Sequence, residues 1–231
     1  MADFRIPNEK LDQVASILRQ EGVDCWISLV SETRLNPDPA LDLILGLEMT
    51  WLSAFVVTAQ DERFAILGRY DAQPVEQMGG YQQVIPYDED FAPAFRELIF
   101  KLDPKRIALN YSETDTASDG LSHGLWLRLN KILEGSPYPD RFVSAEGVIS
   151  ALRGRKTPTE IEKVRKAVQI TEKIVAALAP ELKEGLSEVQ LYEQVRAMMA
   201  AEGVQASWDP CPNVSIGPET SVGHAMPDAA V

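Results

Sequence analysis

TPTEIEKVRKAVQITEKIVAAL, residues 157–178, is the stretch where the character of the chain changes. Thr157-Pro158-Thr159-Glu160 has the form of a capping box: a hydroxyl able to accept from the backbone three residues on, a glutamate able to reach back, and proline at the first helical position. Ile161, Val164, Val168, Thr171, Val175 and Leu178 then hold helical spacing over about five turns. Pro180 and Gly185 interrupt the pattern. Ser187-Glu188-Val189-Gln190 is a second capping box, followed by Leu191, Val195, Met198 and Met199 and stopped by Gly203. Two capped amphipathic helices on a short link predict an αα-hairpin that packs against something else. Beyond it the pattern is irregular, with Trp208, Pro210 and Pro212, and Val214-Ser215-Ile216-Gly217 is expected as a short strand.

Upstream of this stretch, helix and strand patterns alternate. Asn8 can cap a helix whose Leu11, Val14, Ile17 and Leu18 share a face and which Gly22 ends. Residues 24–30 read as a short apolar strand, 31–39 as a turn-rich loop, and 41–47 as one or two helical turns. Residues 51–59 and 63–68 predict a hairpin around Gln60-Asp61-Glu62. A helix over 72–78 stops at Gly79-Gly80, a strand follows over 81–85, and 90–102 is an amphipathic helix. Residues 105–110 read as a strand and 118–133 as a helix. This alternation indicates a layered α/β domain. The boundary falls near Ala151–Lys156, giving one domain over 1–153 and the start of another over 154–231.

Composition narrows the function classes. A chain of 231 residues can bury roughly 70% of its unfolded surface and needs no staple. With 22 Lys and Arg against 35 Asp and Glu the formal charge is −13, which opposes binding to nucleic acid phosphates or anionic lipid. Cys25 and Cys211 are far apart and form no CxxC, so a reducing compartment and cytoplasmic location are expected. The N-terminus carries Asp3 and Arg5 where a signal peptide needs apolar residues, and the uncharged run Met49–Gln60 is far short of a membrane span.

Residues able to carry chemistry are scarce. His123 and His224 have no second histidine, cysteine or paired carboxylate at ligand spacing. No phosphate-binding glycine loop and no GxSxG elbow occurs. His123 reads as a surface or interdomain residue at a helix start, and His224 lies in the small-residue loop Ser221-Val222-Gly223-His224-Ala225-Met226-Pro227. Glu160, Glu162, Glu188 and Glu193 are expected on solvated helix faces. By composition and spacing alone, this is an acidic two-domain α/β protein without a legible reaction.

The combination of motifs says more. Ser144-Ala145-Glu146, Leu152-Arg153-Gly154-Arg155-Lys156-Thr157 and Glu160-Ile161-Glu162-Lys163-Val164-Arg165-Lys166-Ala167, then Gly185-Leu186-Ser187-Glu188, Trp208, Gly217 and His224-Ala225-Met226-Pro227, follow one another in order. This series resembles the Xaa-Pro peptidase and creatinase family of metallohydrolases, from the end of the creatinase-like N-terminal domain into the "pita-bread" catalytic domain. The resemblance implies a mixed sheet flanked by helices, then the first helices of an α+β catalytic domain that is incomplete here. It implies a divalent metal pair (Mn, Co or Zn) in the complete enzyme, a peptide substrate with proline in second position, and a homodimer. It places at His224 the family's substrate-side histidine, whose neutral imidazole would donate one N–H and accept at the other nitrogen. The family's metal ligands follow this histidine, and neither Asp209 nor Asp228 matches one of them, so no metal is expected on this segment and the segment alone is expected to be inert. Creatinase-like C–N hydrolysis on the same scaffold, and a non-catalytic assembly or binding module, are the alternatives.

Overall fold

In a sheet covered on both faces, alternate residues of each strand enter two different cores, and the strands read as nearly continuous apolar runs. Cys25–Val30 (β1), Ser53–Thr58 (β2) and Arg63–Gly68 (β3) are buried along their whole lengths. The computed structural model describes residues 3–208, 211–217 and 226–229. It divides into two compact units, 1–160 and 161–231.

Unit 1 is built on a six-stranded mixed sheet with β1 near its centre. On one side β1 pairs antiparallel with β2, β2 antiparallel with β3, and β3 parallel with Gln83–Tyr87 (β4). On the other side Ile107–Leu109 (β5) runs parallel to β1, and Phe142–Ser144 (β6) parallel to β5. The spatial order is β4-β3-β2-β1-β5-β6. The hairpin turn between β2 and β3 puts Asp61 at a φ of 67°, with its N–H donating to the Thr58 carbonyl, a left-handed position that Asp tolerates.

Helices cover both faces. Trp26, Val30, Phe55, Val57, Ala65 and Leu67 point toward helices Arg5–Glu21 (α1), Leu41–Ile44 (α2) and Arg69–Met78 (α3). Cys25, Ile27, Leu29, Val56, Phe64 and Ile66 meet Ala92–Leu102 (α4) and His123–Ile132 (α5) on the opposite face. Helix α1 buries Leu11, Val14, Ile17 and Leu18 and ends at Gly22, whose φ of 62° suits glycine and lets its N–H return to the Arg19 carbonyl. Glu146–Gly154 (α6) adds Val148, Ile149 and Leu152 to the α1 side.

A mixed sheet flanked by helices is what the sequence predicts, with local differences. The helix expected over 118–133 begins only at His123, capped by Ser122, because the turn before it is tied to β5: Gly120 and Leu121 both donate to the Asn110 carbonyl. The strand expected over 81–85 is shifted to Gln83–Tyr87, and Tyr81 is instead buried with its hydroxyl on the Ile44 carbonyl.

In unit 2, α7 spans Pro158–Leu178, starting from the last residues of unit 1, and α8 spans Glu188–Ala201. Both capping boxes form: Thr157 and Glu160 exchange bonds of 2.7 and 3.2 Å, Ser187 and Gln190 bonds of 3.0 and 3.3 Å. Lys173 pairs with Glu202 at 2.6 Å, and Ile174, Leu178, Val195 and Met199 line a cavity of about 360 Å³ between the helices. Ile161, Val164, Val168 and Val175 stay 40–58% exposed, so much of the apolar stripe of α7 faces outward. The strand expected over 214–217 does not form; the Ile216 N–H bonds to a side chain instead of a neighbouring strand.

Candidate functional site

Unit 2 contains a buried carboxylate that the sequence reading assigns to solvent. Glu188, the first residue of α8, is 5% exposed. Its Oε1 accepts the Ile216 N–H and its Oε2 the Asp228 N–H, both at 2.9 Å. The next residue, Val189, donates its N–H to the Asp228 carbonyl at 3.3 Å. A carboxylate taken from water needs such partners, and charge-assisted bonds to backbone N–H groups are among the stronger ones. Glu188 thus gathers two segments of chain that lie on either side of His224 in sequence.

Unit 1 holds a second buried polar group where β1 meets β5. The chain leaves β1 toward β2 on one side and returns as β5 on the other, an arrangement that opens a crevice at the carboxyl ends of parallel strands in many α/β proteins. Here the crevice is filled. Asn110, just after β5, accepts the Trp26 indole N–H on Oδ1 at 2.6 Å. Its Nδ2 donates to Ser28 Oγ at 3.0 Å and to Asp38 Oδ2 at 2.7 Å. Asp38 Oδ1 accepts the Ala40 N–H at 2.8 Å. All four side chains are buried. Gly120 closes over Asp38 so tightly that a Cβ would sit 2.3 Å from the carboxylate carbon. With its donors and acceptors matched to one another, the group acts as a brace between strands and not as an open pocket.

Burial pushes the Asp38 carboxyl up from its ordinary value of 3.8, although Asn110 and the Ala40 N–H pull the other way. The folded chain therefore holds a proton that the unfolded chain has released, and between the two values stability falls as pH rises. Asp38→Asn is expected to remove this fall, at a lower absolute stability because an amide N–H then faces another donor. Urea midpoints measured from below pH 3.8 to neutrality check it; an unchanged slope in the variant rules the account out.

A third polar cluster lies where unit 1 hands over to α7. Lys10 is fully buried and donates to the Leu152 and Arg155 carbonyls, each at 2.7 Å, and pairs with Glu160 at 2.8 Å. Its neighbour Glu9 accepts Thr159 Oγ1 at 2.6 Å and the Thr159 N–H at 3.2 Å. Helix α1 thereby holds the end of α6 and the first turn of α7. Glu160 is thus a buried-pair member, not a solvated face residue. Burial pushes its carboxyl up, but Lys10 and the Thr157 N–H outweigh burial and leave it below the ordinary value.

The expected site residues are distributed as follows. His123 is exposed at the first position of α5. His224 and Asp209 lie outside the described residues. Asp228 meets Glu188 through its backbone N–H. Burial pushes the Cys25 thiol far up, which keeps it protonated and unreactive. Among the described residues, no three His, Cys, Asp or Glu side chains converge as metal ligands, so the described residues do not fit a metal pair and no step is derived through one. No helix among the described residues is long and apolar enough to cross a membrane.

The sequence matches no family model and no curated protein. Solved structures share the fold. An Xaa-Pro dipeptidase from Bacillus anthracis aligns over 85% of this chain and 49% of its own, with 16% identity and a TM-score of 0.55. An X-Pro aminopeptidase from Thermotoga maritima MSB8 aligns over 84% of this chain and 49% of its own, with 18% identity and a TM-score of 0.53. The dipeptidase PepE from Mycobacterium ulcerans aligns over 87% of this chain and 51% of its own, with 18% identity and a TM-score of 0.54. At these identities the likeness is one of fold. The chain spans about half the length of the solved structures it matches.

Proposed function

We propose that these residues form the N-terminal portion of a metal-dependent peptidase that hydrolyses Xaa-Pro bonds, as an aminopeptidase or dipeptidase. The observation that carries this reading is the order of parts: a six-stranded mixed sheet, a capped junction and two helices, aligned over most of the chain with Xaa-Pro peptidases. A fold alone leaves the chemistry open. The motif series from Ser144 to Pro227 adds the reason to choose this reaction. His224 is assigned as the substrate-side histidine, which donates an N–H to the oxygen that gains charge as the amide carbonyl is attacked. The divalent metal pair (Mn, Co or Zn) belongs to the complete enzyme and is held outside the described residues. The substrate has proline in second position, the enzyme is cytoplasmic, and it is a homodimer in which apolar surface such as the α7 stripe is covered.

The test is release of the residue preceding proline, from dipeptides and longer peptides with Mn added. The complete enzyme is expected to cleave Xaa-Pro and leave the Xaa-Ala counterpart, while the 231-residue chain alone turns over nothing. His224→Ala in the complete enzyme is expected to lower kcat by about a hundredfold or more, the scale for a lost charge-stabilising donor. Hydrolysis of creatine but not of Xaa-Pro overturns the peptidase assignment in favour of the creatinase-like reaction. No hydrolysis of either in the metal-loaded protein overturns both and leaves the non-catalytic module.

A further inference from the structure

Helix α8 does not need the Glu188 carboxylate to begin. Ser187 Oγ accepts the Gln190 N–H and Gln190 returns the bond to the Ser187 N–H, so the capping box is complete without it. The Glu188 carboxylate is turned to other chain: one oxygen to Ile216, the other to Asp228. Those two residues bracket His224 in sequence. We propose that Glu188 is a positioning residue for His224, fixing the separation between the two ends of the segment that carries it. The inference rests on the reading of His224 as the substrate-side histidine. A carboxylate suits the task because both of its oxygens accept, whereas glutamine would offer one acceptor and turn a donor against an N–H. Burial raises the stakes, since a mismatched donor at this depth has no water to turn to.

Two observables in the 231-residue chain test the proposal: backbone amide exchange at Ile216 and Asp228, and the NMR titration of the His224 ring. Glu188→Gln is expected to speed exchange at one or both amides about tenfold or more, as a lost buried charged bond should. The same substitution is expected to move the His224 ring shifts and titration midpoint while the Gln190 amide stays protected. Ser187→Ala should do the reverse, exposing the Gln190 amide and leaving His224 in place. If Glu188→Gln does not fold, Glu188→Asp keeps the charge, shortens the reach by one methylene and is read in the same way. Unchanged exchange at both amides overturns the proposal. So does exchange that rises with an unmoved His224 ring, because Glu188 would then brace the fold without setting the histidine. Failure of the peptidase reading shows up separately, as a wild-type His224 ring that does not respond to an Xaa-Pro dipeptide, and neither observable above depends on it.

Discussion

Replacing Asn110 by alanine is expected to destabilise unit 1 by about 3–5 kcal/mol, the sum of two orphaned buried groups and a lost side chain. The substitution removes the acceptor of the Trp26 indole N–H and the donor to the Asp38 carboxylate in one step. Neither group has water within reach, since Trp26 is 1% exposed and Asp38 4%. Orphaned buried donors cost about 1–3 kcal/mol each and a buried charge costs more. The two strands that Asn110 joins are also the seam between the halves of the sheet, so the loss falls on the pairing of β1 with β5. Urea denaturation should show a lower midpoint with an unchanged slope, because the same surface is exposed on unfolding. Asn110→Asp offers a gentler comparison: it keeps the acceptor for Trp26 but sets a carboxylate against Asp38, and it should recover less than half of the loss at neutral pH. A midpoint shift corresponding to less than about 1 kcal/mol for Asn110→Ala means that the network relaxes around the gap and the brace is not one.

Lys10→Met is expected to cost about 3 kcal/mol, the lower end of the range for breaking one side of a buried ion pair. Methionine fills much the same volume, so packing is largely kept and the loss reports on polarity. It strands the Leu152 and Arg155 carbonyls and leaves Glu160 without its cation. The Glu160 side chain is 18% exposed, which lets water relieve part of its loss and keeps the figure from rising further. The sign of the pH dependence follows from the lowered Glu160 carboxyl. The pair's stability is present above the ordinary value of 4.5 and is lost as pH falls through the lower folded value. Wild type should therefore lose more stability on acidification than Lys10→Met does. Adding Glu160→Gln to Lys10→Met should recover part of the loss by removing the stranded charge, a coupling that a double-mutant cycle measures directly. Additive single effects would show that the two side chains do not act as a pair.

The parts of the fold legible in the sequence are those governed by local pattern. Strands β1 to β3 announce themselves as apolar runs around a polar turn, and both capping boxes specify the starts of α7 and α8 to the residue. Strand β6 and helix α6 escape such reading. The strand is three half-buried residues, and the helix follows Ala145, which offers no side-chain cap. The polar clusters were missed for a different reason. Asp38 and Asn110 are joined only once the sheet has brought them together, and nothing in either neighbourhood marks the pairing. Lys10 did leave a trace: it falls in register with Pro7, Leu11 and Val14 on the buried face of α1, where a lysine must find a partner. Glu188 left none, because a glutamate after an N-cap serine is also favoured by the helix dipole at the surface.

The placement of β1 has a consequence for how the sheet comes into being. Its antiparallel neighbours β2 and β3 follow closely along the chain, so that half can assemble from contacts between near neighbours in sequence. The other half waits on β5, which reaches β1 only after the chain from Val30 to Ile107 has been looped back, at an entropic cost that grows with the logarithm of loop length. Assembly of unit 1 is thus split by contact range, with local pairing favoured early and the β1–β5 seam closing late. The Asn110 brace sits on that seam, where it rewards the last long-range step.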